Sequence, residues 1–142
     1  MKYMLDSDIC VYIIKQSPKE VLNNLHAKKA DGVCISSITL AELEYGAHKS
    51  AYPEKNTLAL HKILAILTVL PFDDVAACEY GKIRADLERK GTPIGSLDTQ
   101  IAAHAKALDI TLVTNNTREF NRVEGLTIEN WAQLQATKLE QP

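Results

Sequence analysis

The sequence predicts an α/β protein with a mainly parallel sheet covered on both faces by helices. Two observations carry this expectation. Apolar runs at 3–5, 33–35, 68–70 and 111–113 are short and nearly free of polar residues, as strands buried on both faces should be. Between them lie stretches with helical periodicity, long enough to serve as the crossovers that parallel neighbours require. A chain of 142 residues without linker, repeat or low-complexity block points to one domain, set at 1–133, with 134–142 as a frayed C-terminal tail.

The elements follow in order. Tyr3-Met4-Leu5 is the first strand and ends at Asp6. Helices over 8–15 and 18–28 are separated at Ser17-Pro18, because proline cannot continue a helix. Asp31-Gly32 introduces the second strand at 33–35. A helix over 38–51 buries Leu40, Leu43 and Ala47 on one side, Pro53 interrupts, and 54–67 resumes an amphipathic helix through Leu58, Ile63, Leu64 and Leu67. The third strand at 68–70 is closed by Pro71, and a long helix over 73–90 leads to the loop Gly91-Thr92-Pro93-Ile94-Gly95. A helix over 97–108, the fourth strand at 111–113, a helical turn over 116–121 and a last strand near 126–128 complete the order.

Bulk properties narrow the function. A net charge of −2 and a pI near 6.1 argue against a protein that coats nucleic acid non-specifically. They leave room for an enzyme that meets nucleic acid through bound cations and a few local basic groups. Apolar runs are too short for a membrane span, and Asp6 and Asp8 would interrupt the apolar stretch of a secretory signal, so a cytoplasmic location is expected. Cys10, Cys34 and Cys78 are odd in number, widely spaced and without a CxxC pair, which favours small buried residues over disulfides or structural zinc.

Ligands in open α/β sheets bind beyond the carboxyl ends of the strands. Asp6 lies at the end of strand 1, Thr114, Asn115 and Asn116 follow strand 4, Asp98 opens a helix after the glycine-rich loop, and Glu42 lies early in the helix after strand 2. If strands 1 and 4 are neighbours, these groups meet at one rim. Oxygen ligands of this kind suit Mg²⁺ or Mn²⁺. Each position also has a plainer reading. Asp6 can cap the first helix, Asp8 and Asp98 are favourable acids in first turns, and Asn115 and Asn116 are common turn residues. Thr39-Leu40-Ala41-Glu42 fits a capping box, and periodicity does not choose between Glu42 and Glu44.

LDSDIC at 5–10, ISSITLAELEYGAHKS at 35–50, GTPIGSLDTQIAAHA at 91–105 and LVTNNTREF at 112–120, in that order, resemble the PIN-domain ribonucleases, specifically the VapC toxins of bacterial toxin–antitoxin pairs. The resemblance covers Met4 to Trp131 and implies a PIN-like three-layer α/β/α sandwich. It matches Asp6, Glu42 and Asp98 to the first three family acids and so selects Glu42 over Glu44. Two departures stand out. The family usually opens LDTN, whereas this chain reads Leu5-Asp6-Ser7-Asp8, with an added charge at Asp8. Where the fourth family acid is expected, two residues after Thr114, this chain has Asn116, as does the TNN-bearing VapC subgroup it most resembles.

The resemblance implies a metal-dependent endoribonuclease. Asp6, Asp98 and Glu42 would hold Mg²⁺ or Mn²⁺, Asn116 would complete the catalytic set, and Ser7, Thr114 and Arg118 would meet substrate. One tightly held ion is expected, with any second one dependent on the RNA phosphate. The implied substrate is initiator tRNA in its anticodon region. The implied partners are a VapB-type antitoxin lying across the site and a second copy in a homodimer. The apolar face of 54–67, with Tyr45 and Tyr52, offers a contact surface for either. Lys15, Lys49, Lys82, Arg84 and Arg118 are candidate RNA contacts, while His48 and His104 read as packing or surface residues. Two rivals are weighed. A haloacid-dehalogenase-like phosphatase would use Asp6 as nucleophile beside Asp8, but Cys10 stands where Thr or Val is usual. A non-catalytic RNA- or partner-binding domain is the other.

Overall fold

The computed structural model describes residues 1–133, so the expected tail at 134–142 lies outside the described residues. The order is β1 (Tyr3–Leu5), α1 (Ser7–Lys15), α2 (Lys19–Lys28), a 3-10 turn (Lys29–Asp31), β2 (Val33–Ser36), α3 (Ser37–Lys49), α4 (Pro53–Leu64), β3 (Thr68–Leu70), α5 (Asp74–Arg89), α6 (Ser96–Ala107), β4 (Thr111–Val113), α7 (Thr117–Phe120) and β5 (Ile128–Glu129). The five strands form one sheet in the order β3-β2-β1-β4-β5, and every pairing is parallel. Tyr3 stands in register with Val33 on one side and Thr111 on the other, which makes β1 the central strand.

Strand alternation sorts the core into two layers. Tyr3, Leu5, Val33, Ile35 and Val113 face α1, α2 and α4, where they pack with Ile9, Ile13, Val21, Leu60 and Trp131. Met4, Cys34 and Leu112 face α5 and α6, where they meet Leu87, Ile101 and Phe120. Helices on both faces give the expected three-layer sandwich. The chain builds outward from β1 to β3 and then crosses to β4 on the other side of β1. The order therefore reverses between β1 and β4, and the rim above these strands is where a ligand crevice belongs.

Several boundaries differ from expectation for local reasons. Pro53 is the first residue of α4 and does not merely interrupt, because a helix tolerates proline where no N–H is needed. The last strand lies at Ile128–Glu129, later than the expected 126–128, because Gly125 turns with φ 79° and the Leu126 amide is spent on Val123. Gly32 adopts φ 93°, and a Cβ there would sit 3.0 Å from the Met1 backbone, so only glycine fits this entry to β2. Cys10 and Cys34 are buried as expected, but Cys78 is exposed on the outer side of α5. Among the described residues no helix is long and apolar enough to cross a membrane.

Candidate metal centre

Asp6 links the sheet to the first helix. Its amide continues the β1–β4 ladder to Val113 O at 3.0 Å, and its Oδ1 caps α1 by accepting from Ile9 N at 3.1 Å. The capping and site readings are thus both true of one residue: Oδ1 serves the helix, and Oδ2 accepts from the Thr114 hydroxyl. That hydroxyl in turn accepts from the Asn116 amide at 2.9 Å. Thr114 is fully buried with its oxygen committed on both sides, to Asp6 and to the Asn116 backbone amide.

Glu42 arrives from α3. The helix is capped by Ser36, whose side chain accepts from Ile38 N, so the expected capping box of Thr39 with Glu42 does not form. Thr39 is instead buried with its hydroxyl unpartnered. Freed from a capping role, Glu42 receives the Ser7 hydroxyl at 3.1 Å. Glu44 lies instead 3.4 Å from His61. Asp98 lies in the first turn of α6, half-buried, and has Glu119 of α7 as its main acidic neighbour. Asn116 Nδ2 donates to Glu119 Oε2 at 3.0 Å. Glu119 is a fourth carboxylate that the sequence reading missed. The amide at 116 therefore does not leave this corner uncharged; the charge comes from one turn further on.

The electrostatics mark the cluster. Asp6 is only 7% exposed, and burial, opposed by its Thr114 and Ile9 hydrogen bonds, pushes its carboxyl up to about 6. Asp98 is also pushed up to about 6, first by burial, then by the neighbouring Glu119, then by Asp6 and Glu42. Four acids thus share one rim, and the charges of the other three disfavour ionisation of Asp98. Among the described residues no three Asp, Glu, His or Cys side chains are drawn into a ready-made ligand set. A cation would offset the negative charge that these side chains bring to the rim. An all-oxygen donor set with unfavourable negative charge fits a hard divalent ion.

The other candidates divide. Ser7 joins the cluster through Glu42, and Arg118 is exposed on α7. Lys15 lines an apolar groove of about 530 Å³ between α1, α3 and α4, which starts at Ser7 and Glu42 and continues past Val11 and Leu43 to Leu60. Lys82 and Arg84 pair with Glu79 and Glu88 on their own helix, and Lys49 lies over the Tyr45 ring, as solvated faces do. His48 is exposed, and His104 is buried edge-on against Phe72, where desolvation lowers its pKa and keeps it neutral. Neither histidine joins the acids.

A deep acid cluster at the β1/β4 switch of a parallel sheet defines a class, and comparison with known proteins gives the same one. The family model described as "PIN domain" matches residues 3–126. Ribonuclease VapC2 of Haemophilus influenzae is 47% identical over 131 residues, spanning 92% of this chain and 98% of the relative. The tRNA(fMet)-specific endonuclease VapC of Shigella flexneri is 45% identical over 132 residues, spanning 93% and 99%. The solved VapBC2 of Rickettsia felis bound to a promoter DNA fragment superposes with a TM-score of 0.88 at 45% identity, covering 92% of this chain and 99% of that one. The chain belongs to the PIN-domain family, within its VapC ribonuclease branch. The phosphatase reading of Asp6 and Asp8 falls with this assignment.

Proposed function

We propose that this chain is the toxin of a type II toxin–antitoxin pair, an endoribonuclease that hydrolyses RNA phosphodiesters with Mg²⁺ or Mn²⁺. The observation that carries this reading is the four-acid rim, in which Asp6 and Asp98 are both held near a pKa of 6. Asp6, Asp98 and Glu42 would hold the cation. When bound, it supplies Lewis-acid activation of the attacking water and neutralises charge on the scissile phosphate. Thr114 aims Asp6, Ser7 aims Glu42, and Asn116 aims Glu119 toward the same rim. Glu119, the acidic neighbour of Asp98, would add a fourth carboxylate to the cation's surroundings. Arg118, exposed beside it, is the candidate counter-charge for RNA.

The preferred substrate in this reading is initiator tRNA, cut in the anticodon region, and the Shigella flexneri relative named for tRNA(fMet) supports it. A VapB-type antitoxin is the proposed partner, its segment lying in the groove that begins at Ser7 and Glu42. Homodimerisation belongs to the same reading, with exposed Tyr45, Tyr52 and Leu58 as contact candidates. Residues 1–133 form the working domain, and the location is the cytoplasm, where tRNA and antitoxin occur. The test is incubation of initiator tRNA with the antitoxin-free protein and Mg²⁺ or Mn²⁺. Cleavage by wild type that is lost in Asp6→Asn and Asp98→Asn supports the reading. Equal activity in all three proteins, or binding without cleavage by wild type, overturns it.

A further inference from the structure

Beside the acid rim runs a chain of amides whose direction is set by a single bond. The Ala132 amide donates to Asn130 Oδ1 at 2.9 Å. A backbone N–H can only donate, so this bond fixes which end of the Asn130 amide is oxygen. Asn130 Nδ2 then donates to Asn115 Oδ1 at 3.1 Å, and Asn115 Nδ2 donates to the Tyr12 hydroxyl at 3.2 Å. The chain ends with the Tyr12 oxygen as acceptor. The phenol proton and the second N–H of Asn115 are left over, and among the described residues neither finds an acceptor.

These two donors come from atoms 3.2 Å apart, at the lip of the acid centre. Asn115 is exposed and follows Thr114, which holds Asp6; Tyr12 lies on α1, which Asp6 caps. Both are neutral, so the nearby carboxylates do not capture them as they would a lysine or arginine. Along α1, exposed Asp8 and Lys15 flank Tyr12 and balance each other in charge. Two converging neutral donors fit a ligand that only accepts. Phosphodiester oxygens are of that kind, and hydroxyls and amides commonly bind them.

We propose that Tyr12 and Asn115 bind the non-bridging oxygens of an RNA phosphate flanking the one that is cut, with Asn130 as the positioning residue that fixes their polarity. This rests on the nuclease reading above. The test uses short RNAs containing the cleavage site, each with one methylphosphonate, which removes a phosphate's charge and one acceptor oxygen. For wild type, one flanking position should raise KM about ten-fold, the worth of one hydrogen bond to a charged group. Tyr12→Phe, which keeps the ring, should raise KM by a similar factor on unmodified RNA, leave kcat within about two-fold, and leave thermal stability unchanged. On RNA modified at that one position, Tyr12→Phe should add no further loss. Full additivity of the two losses, an unchanged KM in both Tyr12→Phe and Asn115→Ala, or a changed base preference in place of a uniform loss would each overturn the proposal. If wild type cuts no RNA, the nuclease reading fails, and the same comparisons made on Kd by fluorescence anisotropy still judge the phosphate site.

Discussion

Two regions of this molecule take charge out of water, and they treat it in opposite ways. On the α2 face, the partly exposed Lys28 has its charge met by an acid and two aromatic rings. Its ammonium lies 3.0 Å from Glu129, 5.5 Å from the Tyr3 ring centre and 5.4 Å from that of Trp131. At the β1/β4 rim, Asp6, Asp98, Glu119 and Glu42 gather, and among the described residues hydroxyls and amides are the donors supplied to them. The first arrangement favours the folded chain. The second is a poor arrangement for stability and a good one for holding a cation, which is the usual trade at a functional site.

Removing a rim acid should break this contrast most visibly. Asp98→Asn or Asp6→Asn should lower RNA cleavage on the order of 10³-fold, since each deletes a charge that the metal and phosphate chemistry needs. The same variants, measured metal-free at pH 7.5, should melt no lower than wild type, because a buried uncompensated charge has gone. A large drop in melting temperature would mean that these acids hold the fold together.

The pH dependence of the metal-free protein is the next largest effect. Burial raises the Asp6 carboxyl from 3.8 to about 6, so the folded state binds more protons than the unfolded chain across that window. Stability therefore falls as pH rises through it, by up to about 3 kcal/mol from Asp6. Asp98 adds a smaller amount of the same sign, because solvent screens its half-exposed carboxyl. Thermal melts should give a higher midpoint at pH 5 than at pH 7.5, and Mn²⁺ should close the gap at pH 7.5. A melt that improves with rising pH would reverse the assignment.

Thr114→Val should act less strongly and through position alone. It leaves the Asn116 amide without its acceptor and Asp6 without its hydroxyl donor. Loss of a bond that favours the ionised form pushes the Asp6 carboxyl higher still. Cleavage should fall about ten-fold, consistent with loss of a supporting bond to a ligand. The acid limb of the pH–rate profile should also move upward, and an unmoved limb would show that Thr114 does not act through Asp6.

How far this rim was legible depended on where each acid falls. Asp6 could be found because a strand end and a helix cap coincide there, and both have sequence signals. The β1–β4 adjacency has no signal in the sequence, and the sheet order supplies it. Glu42 was visible only through resemblance, since the capping-box pattern at Thr39 competed with the Ser36 cap that forms. Glu119 was missed because α7 is a single turn, too short for hydrophobic periodicity to mark. One local signal was present. Asn116 and Glu119 are spaced as the two ends of a capping box; that box does not form, and the two side chains bond each other directly instead. Cys78 was misplaced because residue type alone was used; the buried positions Ala76, Ile83 and Leu87 define a face of α5 that excludes it.

The smallest effect tests whether the two charged regions are independent. Lys28→Met keeps an unbranched apolar stem against Tyr3 and Trp131 but deletes the charge that both rings and Glu129 face. Lys28 and Glu129 are partly exposed, so the ion pair contributes little, and the cation–π contacts make up much of the expected loss. A cost of about 1–2 kcal/mol should lower the melting temperature by roughly 3–6 °C. Cleavage should stay within about two-fold of wild type, because the rim draws none of its side-chain contacts from Lys28. The critical path is through β5, whose Glu129 carbonyl accepts from Thr114 N at 2.9 Å. If losing the Lys28 charge shifts that strand end, Thr114 moves with it and activity falls together with stability. In that case the compensated charge on the α2 face would be part of what aims Asp6.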